Sequence, residues 1–182
     1  MTTLTNNMRQ ADENNLIFIG GIHGVGKGSI CQKICNESNY IHLVASDLLK
    51  WGEISDVDNK DVKDIEYTQD LLIKGLKNTI ERNKHYLLDG HFCLFNTKGE
   101  VERIPKETFV KINPKLIVIV TIPVNKIQER LNKRDGKIYN LDLLNKMQIM
   151  EVDYAQLIAS TLNIPSIEIK DDNYQPLLKL IK

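Results

Sequence analysis

The sequence specifies an α/β fold in which a parallel sheet lies between two layers of helices. Short apolar runs alternate with longer stretches of helical periodicity along the chain, the pattern of strand–helix–strand units. One run, Leu116-Ile117-Val118-Ile119-Val120, is apolar at every position, as a central parallel strand buried on both faces requires. Between the first apolar run and the first helical stretch stands a glycine-rich loop, Gly21-Ile22-His23-Gly24-Val25-Gly26-Lys27-Gly28-Ser29. Strand, glycine-rich loop and helix in that order are the setting in which a backbone cradles phosphate.

Leu16–Gly20 is the first strand and residues 29–37 the first helix. Residues 40–45 read as the second strand and residues 47–51 as a short helical turn. The acidic, aperiodic stretch 52–60 reads as a mobile loop. Val62, Ile65, Leu72, Leu76 and Ile80 keep helical spacing through residues 61–82. The third strand is His85–Asp89, followed by a connector with a turn signal at Thr97-Lys98-Gly99 and a break at Pro105. Beyond the strand at 116–120, Pro123 opens a helix over residues 124–133, and a charged turn at 134–137 separates it from another. That helix carries Leu143, Met147, Met150, Tyr154 and Leu157 at steps of four and three, which predicts a core-facing stripe. A strand at 166–169 and a helix from about Pro176 complete one domain over residues 16–182, after a flexible polar lead-in at 1–15.

Composition narrows the function classes. The chain of 182 residues has 24 basic and 24 acidic side chains, so no net field draws it to nucleic acid or to an anionic membrane. No apolar stretch approaches the roughly 20 residues that span a bilayer. Cys31 and Cys35 share a helix face, Cys93 lies far away, and no second Cys or His pair completes a metal site. They read as packing residues of a cytoplasmic protein whose thiols stay reduced.

The loop residues carry the chemistry. Glycines let its N–H groups turn inward, and the start of the helix adds partial positive charge. Gly21, His23, Gly24, Val25, Gly26, Lys27, Gly28, Ser29 and Ile30 are the expected binding residues for a nucleoside triphosphate. Lys27 would reach the outer phosphates and Ser29 would hold Mg²⁺. His23 projects to solvent in this reading and has no catalytic role. Asp89 ends the third strand at the sheet edge where open α/β folds bind ligands. It would hold Mg²⁺ or orient the attacking group; the alternative is a turn carboxylate.

Arg130 and Arg134 lie four apart on one helix face. Guanidinium groups there would stabilise charge on a transferring phosphoryl group, or else belong to a solvated face with Glu129. Asp47 and Lys50 follow the second strand at the ligand edge and are acceptor-binding candidates, although Asp47 could simply cap a helix. His91 joins them on the acceptor side; with Cys93 it lacks the third group that would orient a nucleophile pair.

These residues resemble the nucleoside monophosphate kinase family that includes adenylate kinase. Gly26-Lys27-Gly28-Ser29 places glycine between lysine and hydroxyl, a habit of that family. Val44-Ala45-Ser46-Asp47-Leu48-Leu49-Lys50 resembles its segment after the second strand, and Leu87-Leu88-Asp89-Gly90 its third-strand aspartate motif. Glu129-Arg130-Leu131-Asn132-Lys133-Arg134 is similar to the arginine helix that leads into the lid. The likeness is nearest to the short-lid archaeal-type adenylate kinases and kinases related to them. It rests on Asp89 with His91 two residues on, the Thr-Lys-Gly connector, Asn113-Pro114 before the fourth strand, and a minimal lid at 134–139.

The resemblance implies a three-layer P-loop fold with five parallel strands in the order 2-3-1-4-5. It also implies that Arg130 lies by the donor adenine and Arg134 touches phosphates. His23 stands where the family's loop has proline, and Lys50 where bacterial-type members have an arginine for the acceptor phosphate. The expected activity is transfer of the ATP γ-phosphate, with Mg²⁺, to a nucleoside monophosphate such as AMP. A nucleoside or coenzyme precursor as acceptor, and an ATP-binding sensor with little transfer, are the rival readings. Asn125-Lys126 without an aspartate two residues on argues against a GTPase.

Overall fold

A computed structural model describes residues 15–52, 65–95 and 100–182, with the side chains of residues 50–52 and 65–66 outside that description. Residues 53–60 of the expected loop at 52–60, the Thr97-Lys98-Gly99 turn and most of the lead-in therefore lie outside the described residues, whereas Gly52 ends a helix.

The chain opens with β1 (Leu16–Gly20), α1 (Lys27–Glu37), β2 (Tyr40–Val44) and α2 (Ala45–Gly52). It continues through α3 (Ile65–Thr79), β3 (His85–Asp89), β4 (Cys93–Phe95), β5 (Val101–Arg103) and α4 (Lys106–Ile112). It closes with β6 (Leu116–Thr121), α5 (Val124–Asp135), α6 (Leu141–Leu162), β7 (Ser166–Lys170) and α7 (Gln175–Ile181). The main sheet has the order β2-β3-β1-β6-β7, and all its pairings are parallel. Counting only its five strands, that is the expected 2-3-1-4-5. The numbering shifts because β4 and β5 form a separate antiparallel hairpin.

Alternation along the strands divides the core into two layers, because successive side chains leave a strand on opposite faces. Ile17, Ile19, Leu87, Val118 and Val120 face one cluster, with Ile30 and Ile34 of α1, Ile127 and Leu131 of α5, and Leu177 of α7. Leu16, Phe18, Leu88, Ile117 and Ile119 face the other, with Leu72 and Leu76 of α3, Phe109 of α4 and Ile158 of α6. Phe18, Phe92 and Phe109 form its aromatic centre, with ring centroids 5.0 to 5.4 Å apart. Asn140 caps α6, its side chain accepting from Leu143 N–H at 2.9 Å.

Two expectations are corrected. The hairpin and α4 occupy what the sequence presents as a plain connector. On α6 the buried stripe is Leu144, Met147, Glu151, Tyr154, Ala155 and Ile158, whereas Leu143 and Leu157 are 40% and 51% exposed. The stripe keeps Met147 and Tyr154, but its phase is turned so that it takes in a carboxylate.

Candidate active site

Parallel registry assembles the site. Ile19 pairs with Asp89, and Val44 pairs with Asp89 from the other side, so the segments after β1, β2 and β3 leave the sheet at one edge. This is the carboxyl edge where open α/β sheets bind ligands. The glycine-rich loop wraps from Gly20 into α1 there, with the start of an eleven-residue helix behind it.

Gly24 adopts φ +80°, and a Cβ on it would lie 2.8 Å from Leu131 Cγ, so both backbone and space call for glycine. Lys27 is buried; its Nζ donates to Gly21 O at 2.7 Å and to Ile22 O at 3.3 Å, and lies 3.9 Å from Asp89 Oδ1. Burial pushes its pKa down, while Asp89 and Glu151 oppose that shift. Ser29 is exposed in the loop cleft. Ile30 is different from its neighbours: its N–H donates to Gly26 O at 3.1 Å and its side chain is in the core. It therefore anchors α1 rather than offering a donor to phosphate, which corrects the expectation for that residue.

The two arginines part company. Arg130 Nη1 donates to Val25 O at 3.0 Å and Gly24 O at 3.4 Å, while Nη2 bonds Asp172 Oδ2 at 3.0 Å. It ties α5 to the loop carbonyls and to the turn after β7. Arg134 is instead taken by its neighbour, with Nε and Nη2 on the two Asp135 oxygens at 2.6 and 2.7 Å. The Tyr139 hydroxyl completes that cluster on Asp135. Sequence spacing put both arginines on one face; in the structure Arg130 hydrogen-bonds the loop, while Arg134 acts on loop residue His23 only through its charge. The short segment at 134–139 is held by Tyr139, whose N–H donates to Asn132 Oδ1 at 2.9 Å and whose carbonyl accepts from Gln128 Nε2 at 2.6 Å.

Two spaces meet at this edge. A cleft of ≈ 370 Å³ is lined by the loop with Ser46, Asp89, His91 and Arg130. A more enclosed cavity of ≈ 230 Å³ lies between β3, α3 and α4, with Phe18, Leu72, Phe109, Gln69 and Thr108 in its walls. His23, Val44, Ser46, Asp89 and His91 line both. Gln69 is buried, and its Oε1 has no hydrogen-bond partner. Asp47 is exposed in the first turn of α2 and is not among the lining residues, and the Lys50 side chain lies outside the described residues. His23 is exposed, yet its ring packs on His91 with centroids 4.1 Å apart, so it faces the cleft rather than bulk water alone. Burial, reinforced by the Lys27 charge, holds the His91 pKa down at about 3.

Below this pair lies a residue that the sequence reading missed. Glu151 is 1% exposed, and its carboxylate accepts from Phe92 N–H at 3.0 Å and Cys93 N–H at 3.1 Å. Burial pushes its pKa up to about 7 against the pull of those two donors. The available signal was a charged residue in phase with Leu144, Met147, Tyr154 and Ile158 on a helix otherwise apolar along that face.

The glycine-rich loop and its lysine are matched by a family model described as an AAA domain, over residues 20–147. The chain belongs to that AAA-domain family. Relatives of this AAA-domain protein include a probable UMP-CMP kinase 2 of Arabidopsis thaliana, 26% identical over 91% of this chain and 68% of the relative. UMP-CMP kinase 2 of Caenorhabditis elegans is 29% identical over 68% of this chain and 69% of the relative. An adenylate kinase of Mycoplasma mobile is 31% identical over 66% of this chain and 57% of the relative. The kinship to P-loop nucleotide kinases read from the sequence holds, and the AAA-domain protein is a phosphotransferase of that kind. Among its described residues no helix is long and apolar enough to cross a membrane.

Proposed function

We propose that this protein transfers the γ-phosphate of ATP to a nucleoside monophosphate. The observation that carries the reading is the meeting of two spaces at Asp89 and His91, one floored by a phosphate loop and the other enclosed and largely apolar. A triphosphate in the first and a planar base in the second would bring acceptor oxygen and γ-phosphorus together at the shared residues. The acceptor oxygen then bonds to phosphorus as the bond to the bridging oxygen breaks, and ADP leaves. Such a reaction needs positioning and charge more than covalent help from the protein.

Ser29 and Asp89 offer hydroxyl and carboxylate oxygens in one cleft, a hard donor set that suits Mg²⁺. When bound, the ion would neutralise phosphate charge. Lys27 would exchange its loop carbonyls for phosphate oxygens, and Arg130, which lines the cleft, would brace the loop. The segment at 134–139 would act as a short lid that keeps water from the γ-phosphate.

A second reading has its own support. Among the described residues, no lysine or arginine lines the apolar cavity, so an acceptor without a phosphate of its own, such as a nucleoside, suits those walls. Initial rates of ADP formation with Mg-ATP and a panel of UMP, CMP, AMP and their nucleosides test both readings. Stimulation by a monophosphate at least about tenfold over acceptor-free hydrolysis supports the first. Stimulation by nucleosides alone replaces it with the second, and none at all overturns both.

A further inference from the structure

Cys31, His42 and Asp89 converge behind the phosphate loop from three different elements, α1, β2 and β3. One potential ligand atom from each, the thiol sulfur, a ring nitrogen and a carboxylate oxygen, lies within 4.8 Å of the other two. The contact between His42 and Asp89 is unusual. His42 Nε2 is buried without a hydrogen-bond partner and stands 3.6 Å from Asp89 Oδ2, beyond ordinary N–H···O length. Two donors bound to one tetrahedral ion at about 2.0–2.1 Å stand about 3.3 Å apart. The observed gap is thus a few tenths of an ångström from ligand spacing.

We propose that Cys31, His42 and Asp89 form a binding site for a divalent transition ion of the zinc class. Sulfur, imidazole nitrogen and carboxylate oxygen together select such an ion over Mg²⁺, which prefers oxygen alone. Three protein ligands leave a fourth tetrahedral position for water. Loading replaces the thiol proton with a dication and takes the cluster from a net charge of −1 to zero, so the Lys27 ammonium 3.9 Å from Asp89 Oδ1 gives up an attraction but meets no net like charge.

Cys31 sits fully buried in α1 as a free thiol whose sulfur–hydrogen bond must break for the sulfur to ligate. Binding therefore forms a metal–sulfur bond and releases that proton to solvent. The His42 and Asp89 side chains are 18% and 12% exposed although Nε2 itself is covered, so an ion enters by a local shift at β2, an edge strand. An ion held here draws Asp89 Oδ2 away from the phosphate cleft, so loading and transfer compete for one carboxylate. That competition rests on the proposed phosphotransfer, whereas binding of the ion does not.

Titration of the metal-free full-length protein with Co²⁺ tests the site. The expected result is one tetrahedral visible spectrum per chain, a thiolate-to-cobalt charge-transfer band, release of one proton, and displacement by Zn²⁺. Cys31→Ser should abolish the charge-transfer band. Because that change is in the core, the double variant Cys35→Ser/Cys93→Ser provides the complementary test: with Cys31 its remaining thiol, the band must persist. His42→Gln, on the edge strand, should weaken Co²⁺ binding at least about tenfold. A wild-type protein without the band, a band lost in the double variant, or undiminished binding in His42→Gln would overturn the proposal.

Discussion

His91 Nδ1 lies 3.6 Å from Glu151 Oε1, a carboxylate buried on the core face of α6. The same carboxylate accepts the backbone N–H groups of Phe92 and Cys93. Glu151 thus fixes the turn that carries Asp89, Gly90 and His91 out of β3.

This arrangement sets a pH dependence. The Glu151 pKa is raised from 4.5 to about 7 on folding. Its contribution to stability is therefore fully present below about pH 4.5 and is lost as pH rises through about 7. The unfolding free energy of wild type minus that of Glu151→Gln should fall by about 3 kcal/mol over that window. Urea unfolding of both proteins across the range checks this; a constant difference would show that Glu151 titrates normally.

His91 contributes with the opposite sign. Its pKa falls from 6.5 to about 3 on folding, so stability is full above about pH 6.5 and is lost as pH drops. Below that point wild type should lose about 1.4 kcal/mol per pH unit more than His91→Asn. Parallel acid unfolding curves for the two proteins would contradict it.

Arg130→Ala removes the guanidinium that bridges the loop carbonyls and Asp172. ATP affinity should fall about tenfold, the equivalent of one or two charge-assisted hydrogen bonds. Asp172→Asn should cost less, because that ion pair is 41% exposed on both sides and screened by water. Calorimetric titration of both variants with ATP decides the order.

Gly24 and Gly136 both have positive φ, but only Gly24 is crowded: nothing lies within 4 Å of a Cβ on Gly136. Gly136→Ala should cost about 1 kcal/mol for backbone strain alone. Gly24→Ala adds a clash with Leu131 and should cost about 1–3 kcal/mol more. Thermal unfolding of the pair measures the gap.

The donor half of this site was legible in the sequence because it is local. An apolar strand, its glycines, Lys27 and the following helix are contiguous, so their order alone conveys their arrangement. Asp89 was legible too, since a carboxylate closing an apolar strand has few other places to stand. Glu151 was not, because what matters is the phase of α6 against a turn nearly sixty residues earlier, and a stripe read through Leu143 and Leu157 was turned away from it although Met147 and Tyr154 were placed correctly. The fate of Arg134 was hidden for the opposite reason. Its partner is the very next residue, and helical spacing says nothing of a pairing between neighbours at a helix end.

The destination of the γ-phosphate decides whether this protein is a phosphotransferase to a nucleotide acceptor. With γ-labelled ATP, Mg²⁺ and the nucleoside monophosphate that stimulates turnover, the wild-type protein should move the label to the acceptor. Lys27→Ala, still folded by circular dichroism, should lower that rate by a factor of about 10²–10³. Label released only as inorganic phosphate, or transfer undiminished in Lys27→Ala, would contradict it.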